Sequence, residues 1–479
     1  MTKKKDWHRE YLVRCAGFGD PPWDKELDEM LEKWRKAAEK LGLTEEEVKY
    51  AVTEWIPSNY DIGLEGVRKT IGVMTAEATD MMMATERKAR GEKMVYGVLP
   101  AHTPFYRAFK FTDPSVNVYF VDANFISFVQ PLFHKIAPHL DYAEERGVRY
   151  GCRHCALNKT RYALLRQGLV PLPDVSWIWG FICDQAPKSD EFIKEYWNSE
   201  YPIIFSRWSH HGRAFEKEYQ NVEMVKYLAS VMREGYEQVC KVLGIEVDEN
   251  AIVKALEERM DFMLKYAELS KLMAADPPPI AGEIPLLLAH GLWAVFNTGY
   301  LYYSDALDAT LKDAKTKIAK GEGVVPKGSP RGMMWFMPFC NPFILRMFEE
   351  NGVAIPFCEG LLPSKAELEP PKFEDPFEAN AEAFLKECMI TNWGNKAELT
   401  LERLETYDID FMIWGFEDFD RWLGSDQKLC QAYVEKKIEK PCFYIEGDIW
   451  EDRDYSEEAM RVRIETICEV VKARLAATI

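Results

Sequence analysis

The chain has 479 residues, of which 47% are hydrophobic, including 14 Trp and 26 Phe, and it carries a formal charge of −18 at pH 7. This length exceeds the roughly 250–300 residues at which one hydrophobic core stops growing, so two or three packed units are expected and disorder is not indicated. The surplus of carboxylates argues against a nucleic-acid partner, because binding phosphates needs a surplus of cations.

Met1 to Arg14 is mostly polar and charged, with none of the apolar stretch of a secretory signal, so the protein is expected in the cytoplasm. Lys3-Lys4-Lys5 reads as a solvated tail. Leu27, Met30, Leu31, Trp34, Ala38 and Leu41 recur at helical spacing and stop at Gly42, and Thr44-Glu45-Glu46-Glu47 has the capping-box form that starts another helix. From Asp61 to Arg90, Leu64, Val67, Ile71, Met74, Ala78, Met81 and Met82 continue the helical pattern. The Met81-Met82-Met83 cluster reads as core filler rather than a soft binding surface. Residues 1–92 are thus a helical lead-in.

At Lys93 the pattern changes to short apolar runs separated by helices. Met94 to Leu99, Asn117 to Val121, Val175 to Ile182 and Pro202 to Phe205 are predicted strands; Phe125 to Ile136, Leu157 to Leu165 and Ser189 to Trp197 are predicted helices. Strands alternating with helices imply a mostly parallel sheet, which makes residues 93–215 a first α/β lobe. Three thiols fall here: Cys152 and Cys155, in Gly151-Cys152-Arg153-His154-Cys155, and Cys183, just past the third strand. Ligands collect at the carboxyl ends of strands in such sheets. Brought together, the three thiolates would hold a metal or an iron-sulfur cluster. His210-His211 follow the fourth strand at the same face, where one of them is a candidate proton carrier, against the plainer reading of a surface pair.

Glu216 to Val242 and Glu249 to Leu272 are two long helical stretches, closed by Pro277-Pro278-Pro279, and further helices fill Ile284 to Ala319, so residues 216–330 read as a helical insert. Its most apolar part, Ile284 to Phe296, contains His290 and is well short of the roughly 20 residues that span a bilayer. It reads as a buried helix, and no membrane association is expected.

Residues 331–479 return to the alternation of the first lobe, with strands at Gly332 to Met337, Val353 to Phe357, Phe411 to Gly415 and Pro441 to Ile445, and helices at Pro342 to Asn351, across Phe377 to Glu405, at Asp426 to Glu439 and at Ser456 to Ala476. The fold class is therefore α/β, two doubly wound, mostly parallel-sheet lobes with a helical lead-in and a helical insert. Ile413-Trp414-Gly415-Phe416 repeats Ile178-Trp179-Gly180-Phe181 and runs into Glu417, Asp418 and Asp420 where the first run leads to Cys183. This points to two related halves facing one site. No phosphate-binding or dinucleotide glycine motif occurs in either lobe.

Eleven cysteines, an odd number scattered through a large acidic chain, are not a disulfide framework. Cys15, Cys240, Cys388, Cys430 and Cys468 read as inert core thiols. Cys340 and Cys358 lie near strand ends and offer an alternative metal set with Cys183. A structural zinc on Cys152, Cys155, Cys183 and a distant fourth ligand is the non-redox alternative.

Several segments together resemble the 2-hydroxyacyl-CoA dehydratases and the related ATP-dependent benzoyl-CoA reductases. Lys440 to Asp448, then Glu451-Asp452-Arg453 and Arg461 to Glu465, are similar to that family's closing strand, acidic-basic turn and last helix; Gly91-Glu92-Lys93 looks like its way into the first lobe. The resemblance runs over Gly91 to Leu475. It implies a 4Fe-4S cluster, with Cys155 and Cys183 at the places of the first two cluster cysteines. The third place falls on Asp420, with Asp418 as the near alternative, and carries no cysteine. Either Cys152 replaces the missing thiolate, Asp420 ligates iron through oxygen, or the cluster is absent. The resemblance further implies an oxygen-sensitive enzyme subunit that passes one electron to an acyl-CoA thioester. The outcome is 2-hydroxyacyl-CoA dehydration through a ketyl radical or aryl-CoA reduction. A homologous second subunit and a separate ATP-hydrolysing iron-sulfur activator are the implied partners. The missing cysteine keeps open a non-catalytic partner role for this chain.

Overall fold

Among the described residues, eight short strands carry the architecture. β1 (Lys93–Tyr96), β2 (Val116–Tyr119), β3 (Val175–Gly180) and β4 (Ile203–Arg207) form one sheet, and β5 (Arg331–Met334), β6 (Ala354–Cys358), β7 (Phe411–Phe416) and β8 (Cys442–Gly447) form the other. The computed structural model describes residues 5–148, 155–180, 183, 185–208, 213–417, 419–453 and 456–478. Every strand pair is parallel, and the strand orders are β2-β1-β3-β4 and β6-β5-β7-β8. The inner strands are buried because helices cover both faces, the usual state of parallel sheets. Two α/β lobes of the expected class are present, and the two orders are the same order.

The Ile-Trp-Gly-Phe repeat falls on β3 and β7, the equivalent strand of each lobe. Its glycine has a steric reason in both places. A Cβ on Gly180 would stand 2.5 Å from the Phe205 ring of β4, and one on Gly415 would stand 2.2 Å from the Ile445 carbonyl oxygen of β8. Gly415 also has φ +119°, which favours glycine, at the point where the β7–β8 register shifts. Each glycine lets the next strand close in beside the site.

In each sheet the chain steps outward by one strand and then crosses back past its first. The crevice opened by this reversal lies at the carboxyl ends of β1 and β3 in one lobe and of β5 and β7 in the other. The insert supplies Val222–Leu243, Glu249–Leu272, Glu283–Trp293 and Tyr300–Lys320. The lead-in helix Glu65–Met82 docks on the last of these, where the Gly66 amide donates to Asp313 at 2.7 Å. One continuous apolar core joins all of these parts. No helix among the described residues is long and apolar enough to cross a membrane.

Some boundaries differ from those expected of the sequence. Asp61 to Arg90 is two helices, Glu65–Met82 and Ala84–Ala89, parted at Met83. Met81 and Met82 are fully buried core. Thr103–Thr112 and Ala137–Glu145 are helices that the apolar pattern does not predict; both carry Pro at the second helical position, where its missing amide costs nothing. The helix expected over Asp426 to Glu439 is Arg421–Val434. It starts earlier because Asp420 caps it, its carboxylate accepting the Leu423 amide at 2.7 Å.

Candidate functional site

Three helix N-termini meet where the two sheets face each other. Cys155 is the residue before helix Ala156–Arg166, Cys183 lies just before helix Ala186–Tyr196, and Asp420 caps helix Arg421–Val434. The first two belong to one lobe and the third to the other. Their relative placement is fixed by a buried ion pair: Arg161, on the helix behind Cys155, reaches Asp190, on the helix behind Cys183, at 2.5 and 3.0 Å. The same guanidinium donates to the Gly97 carbonyl and the Ser176 hydroxyl, tying both helices to β3 and the end of β1.

Cys183 and Asp420, 237 residues apart, touch across the lobes: the Cys183 thiol donates to Asp420 Oδ2 at 3.4 Å. The Ala186 amide donates to the Cys183 sulfur at 3.4 Å. Cys155 and Cys183 line one cavity of about 100 Å³. Its walls come from the carboxyl ends of β1 (Leu99, Pro100), β5 (Phe336, Met337), β6 (Cys358), β7 (Glu417) and β8 (Ile449, Trp450), and from the insert helix Glu283–Trp293. A cavity at both strand-order reversals is where an open α/β sheet binds its ligand.

Burial pushes both thiols well above the ordinary range. For Cys155 the carboxyls of Glu417 and Asp448 add to it, for Cys183 that of Asp420. Amides at the helix starts oppose the shift without overcoming it. Two buried thiols, one of them against a carboxylate, are the kind of donor set whose protons a metal displaces, because its charge turns buried thiols into thiolates. The donor chemistry thus fits a thiolate-held iron-sulfur group, with Cys155, Cys183 and Asp420 as the donors present. Among the described residues, no three His, Cys, Asp or Glu side chains close on a single ion.

Two groups on the cavity wall carry no signal in the sequence. Glu417 sits at φ +63°, a conformation that a non-glycine residue rarely adopts and that turns its side chain inward. It is 4% exposed, accepts the Ile449 amide at 2.9 Å, and faces Asp448. Burial and the neighbouring Asp448 hold the Glu417 carboxyl well above the usual range, and burial raises Asp448 as well, to about 7. The acidic run from Glu417 to Asp420 has the alternative reading of a solvated turn; Glu417 and Asp420 are instead buried, because β8 and the capped helix close over them. His290 is the second, on the helix whose apolar sequence reads as plain core.

The remaining candidates fall as follows. Cys152, His154, Asp418, His210 and His211 lie outside the described residues. Cys358 lines the cavity beside Cys183, while Cys340 is fully buried against the Ile126 carbonyl. Cys15, Cys240, Cys388, Cys430 and Cys468 are buried free thiols, as expected. The Glu451-Asp452-Arg453 turn clamps the lobes together. Arg453 reaches Asp141 at 2.6 Å and Glu144 at 2.8 Å, and Asp452 reaches His134 at 2.6 Å.

A family model described as 2-hydroxyglutaryl-CoA dehydratase, D-component, matches residues 132–471, a span holding Cys155, Cys183, Glu417, Asp420 and the lobe-clamping turn. No curated protein matches the chain.

Proposed function

The chain belongs to the 2-hydroxyglutaryl-CoA dehydratase D-component family, and on that premise we propose that it is a subunit of an iron-sulfur 2-hydroxyacyl-CoA dehydratase, with Cys155, Cys183 and Asp420 holding a 4Fe-4S cluster. The observation that carries this reading is the contact of Cys183 with Asp420, at the place where the family resemblance puts the third ligand. Cys152 is proposed as a supporting thiolate. When bound, such a cluster supplies single electrons to the thioester carbonyl of an acyl-CoA.

The chain's own residues do the rest. The apolar walls exclude water from the thioester and strengthen every charge interaction inside. Glu417 holds a proton on the cavity wall, where it serves the departing 2-hydroxyl group, which leaves as water. His210 or His211, after β4, is proposed to carry the proton lost from the neighbouring carbon. A homologous subunit and a separate ATP-hydrolysing activator complete the proposed system.

The test is anaerobic purification followed by iron and acid-labile sulfide quantification with electron paramagnetic resonance. A brown protein with a cluster signal is expected, and Cys155→Ala and Cys183→Ala should both lose iron. A colourless zinc protein, or full iron in both variants, would sink the proposal. Activity that needs the second subunit yet survives Cys183→Ala would reduce this chain to a scaffold.

A further inference from the structure

Building on the acyl-CoA reading above, we propose that the cavity takes an uncharged, apolar acyl chain, aliphatic or aromatic, and that His290 holds its 2-hydroxyl group. The walls are supplied largely by Leu286, Trp293, Phe339, Leu361, Met389 and Trp450. Among the described lining residues there is no Lys or Arg, and the ionisable ones, apart from His290, are three thiols and Glu417. Asp448 stands behind Glu417, and Asp420 behind Cys183. A second carboxylate on the acyl chain would be stripped of water among apolar walls and acidic groups, a cost that only a buried cation offsets. Burial pushes the His290 imidazole down to about 3, so it is neutral at pH 7 and is not that cation.

His290 is 5% exposed and lines the cavity, packed against the rings of Phe296 and Phe339. Its Nε2 is buried with no hydrogen-bond partner among the described residues. A buried ring nitrogen left unpaired is costly, and native sites keep such groups for a ligand. A hydroxyl both donates and accepts, so it satisfies Nε2 in either tautomer; a thioester oxygen only accepts. The 2-hydroxyl is therefore the substrate group that His290 fits.

Calorimetric titration of the anaerobic holoenzyme, without an electron donor, tests this with three probes: hexanoyl-CoA, 2-hydroxyhexanoyl-CoA and 2-hydroxyglutaryl-CoA. The hydroxylated six-carbon thioester should bind roughly tenfold more tightly than its deoxy analogue and roughly a hundredfold more tightly than the dicarboxylic one. His290→Phe, nearly the same size and in an aromatic surround, should erase the first preference, and His290→Gln should keep part of it. Equal or tighter binding of 2-hydroxyglutaryl-CoA overturns the apolar-chain inference and leaves the dehydratase reading standing. Equal binding of the first two probes to the parent protein, or a preference untouched in His290→Phe, overturns the role of His290. Should His290→Phe fail to fold, the parent comparison and His290→Gln decide. Failure of every CoA thioester to bind overturns both readings.

Discussion

Asp420 has two separate tasks, and a pair of substitutions divides them. Its Oδ1 accepts the Leu423 amide at 2.7 Å as the cap of helix Arg421–Val434, while its Oδ2 faces the Cys183 thiol at 3.4 Å. Asparagine caps helices as well as aspartate does, so Asp420→Asn removes the charge and keeps the cap, whereas Asp420→Ala removes both. Loss of the cap costs about 1 kcal/mol. Urea denaturation of the cluster-free protein should therefore place Asp420→Asn within about 0.5 kcal/mol of the parent and Asp420→Ala about 1 kcal/mol below it. After anaerobic reconstitution both variants should release iron to a chelator at least tenfold more readily, since even indirect metal partners are worth roughly 10–100-fold in affinity. Full retention of iron in both variants would refute the carboxylate's place among the ligands. A loss of several kcal/mol in the Asn variant would show that its charge, not its cap, holds this corner of the fold.

Arg161→Met should destabilise the protein by about 3–5 kcal/mol in the same denaturation assay, because it strands Asp190 and Asp122 without their buried cation; a cost under about 1 kcal/mol would remove the ion pair from the account of how the two thiols are placed. Stability should also fall as pH rises from 6.5 to 8.5. Burial raises Glu367 to about 7 and Glu387 to about 8, so the unfolded chain has released those protons by about pH 6.5 while the folded one still holds them and gives them up only as the pH passes 7 and then 8. His102 and His290, pushed down to about 3 by burial, act in the opposite direction only below about pH 6.5, where the unfolded imidazole takes up a proton. A denaturation midpoint that rises with pH between 6.5 and 8.5 would contradict this assignment, and Glu387→Gln should flatten the slope.

Much of the frame is legible in the sequence because parallel strands buried on both faces are short continuous apolar runs, and each such run is a strand. The helix Glu249–Leu272 is delimited by its own pattern between an Asp cap and the Pro277 cluster. Cys155 is legible as a candidate from the Cys-x-x-Cys pair, Cys183 and Asp420 from the repeated run that each follows, and the family resemblance puts all three at the ligand places. Glu417, Asp448 and His290 are not, for tertiary reasons. An acidic run reads as solvated until one knows that β8 returns over it, and a histidine in an apolar helix reads as core until one knows that its ring borders a cavity made by strands on either side of it in the chain. Local sequence carries neither fact.

The two sheets share one strand order, and the same strand of each ends at the common cavity, in a thiol on one side and a carboxylate on the other. Duplicated scaffolding of this sort would give matching jaws if both kept the same tip; here one tip is a thiol and the other a carboxylate. A molecule held between unlike jaws meets a different group at each end, so it has only one way round, and the mouth of the protein sets a direction for whatever it holds.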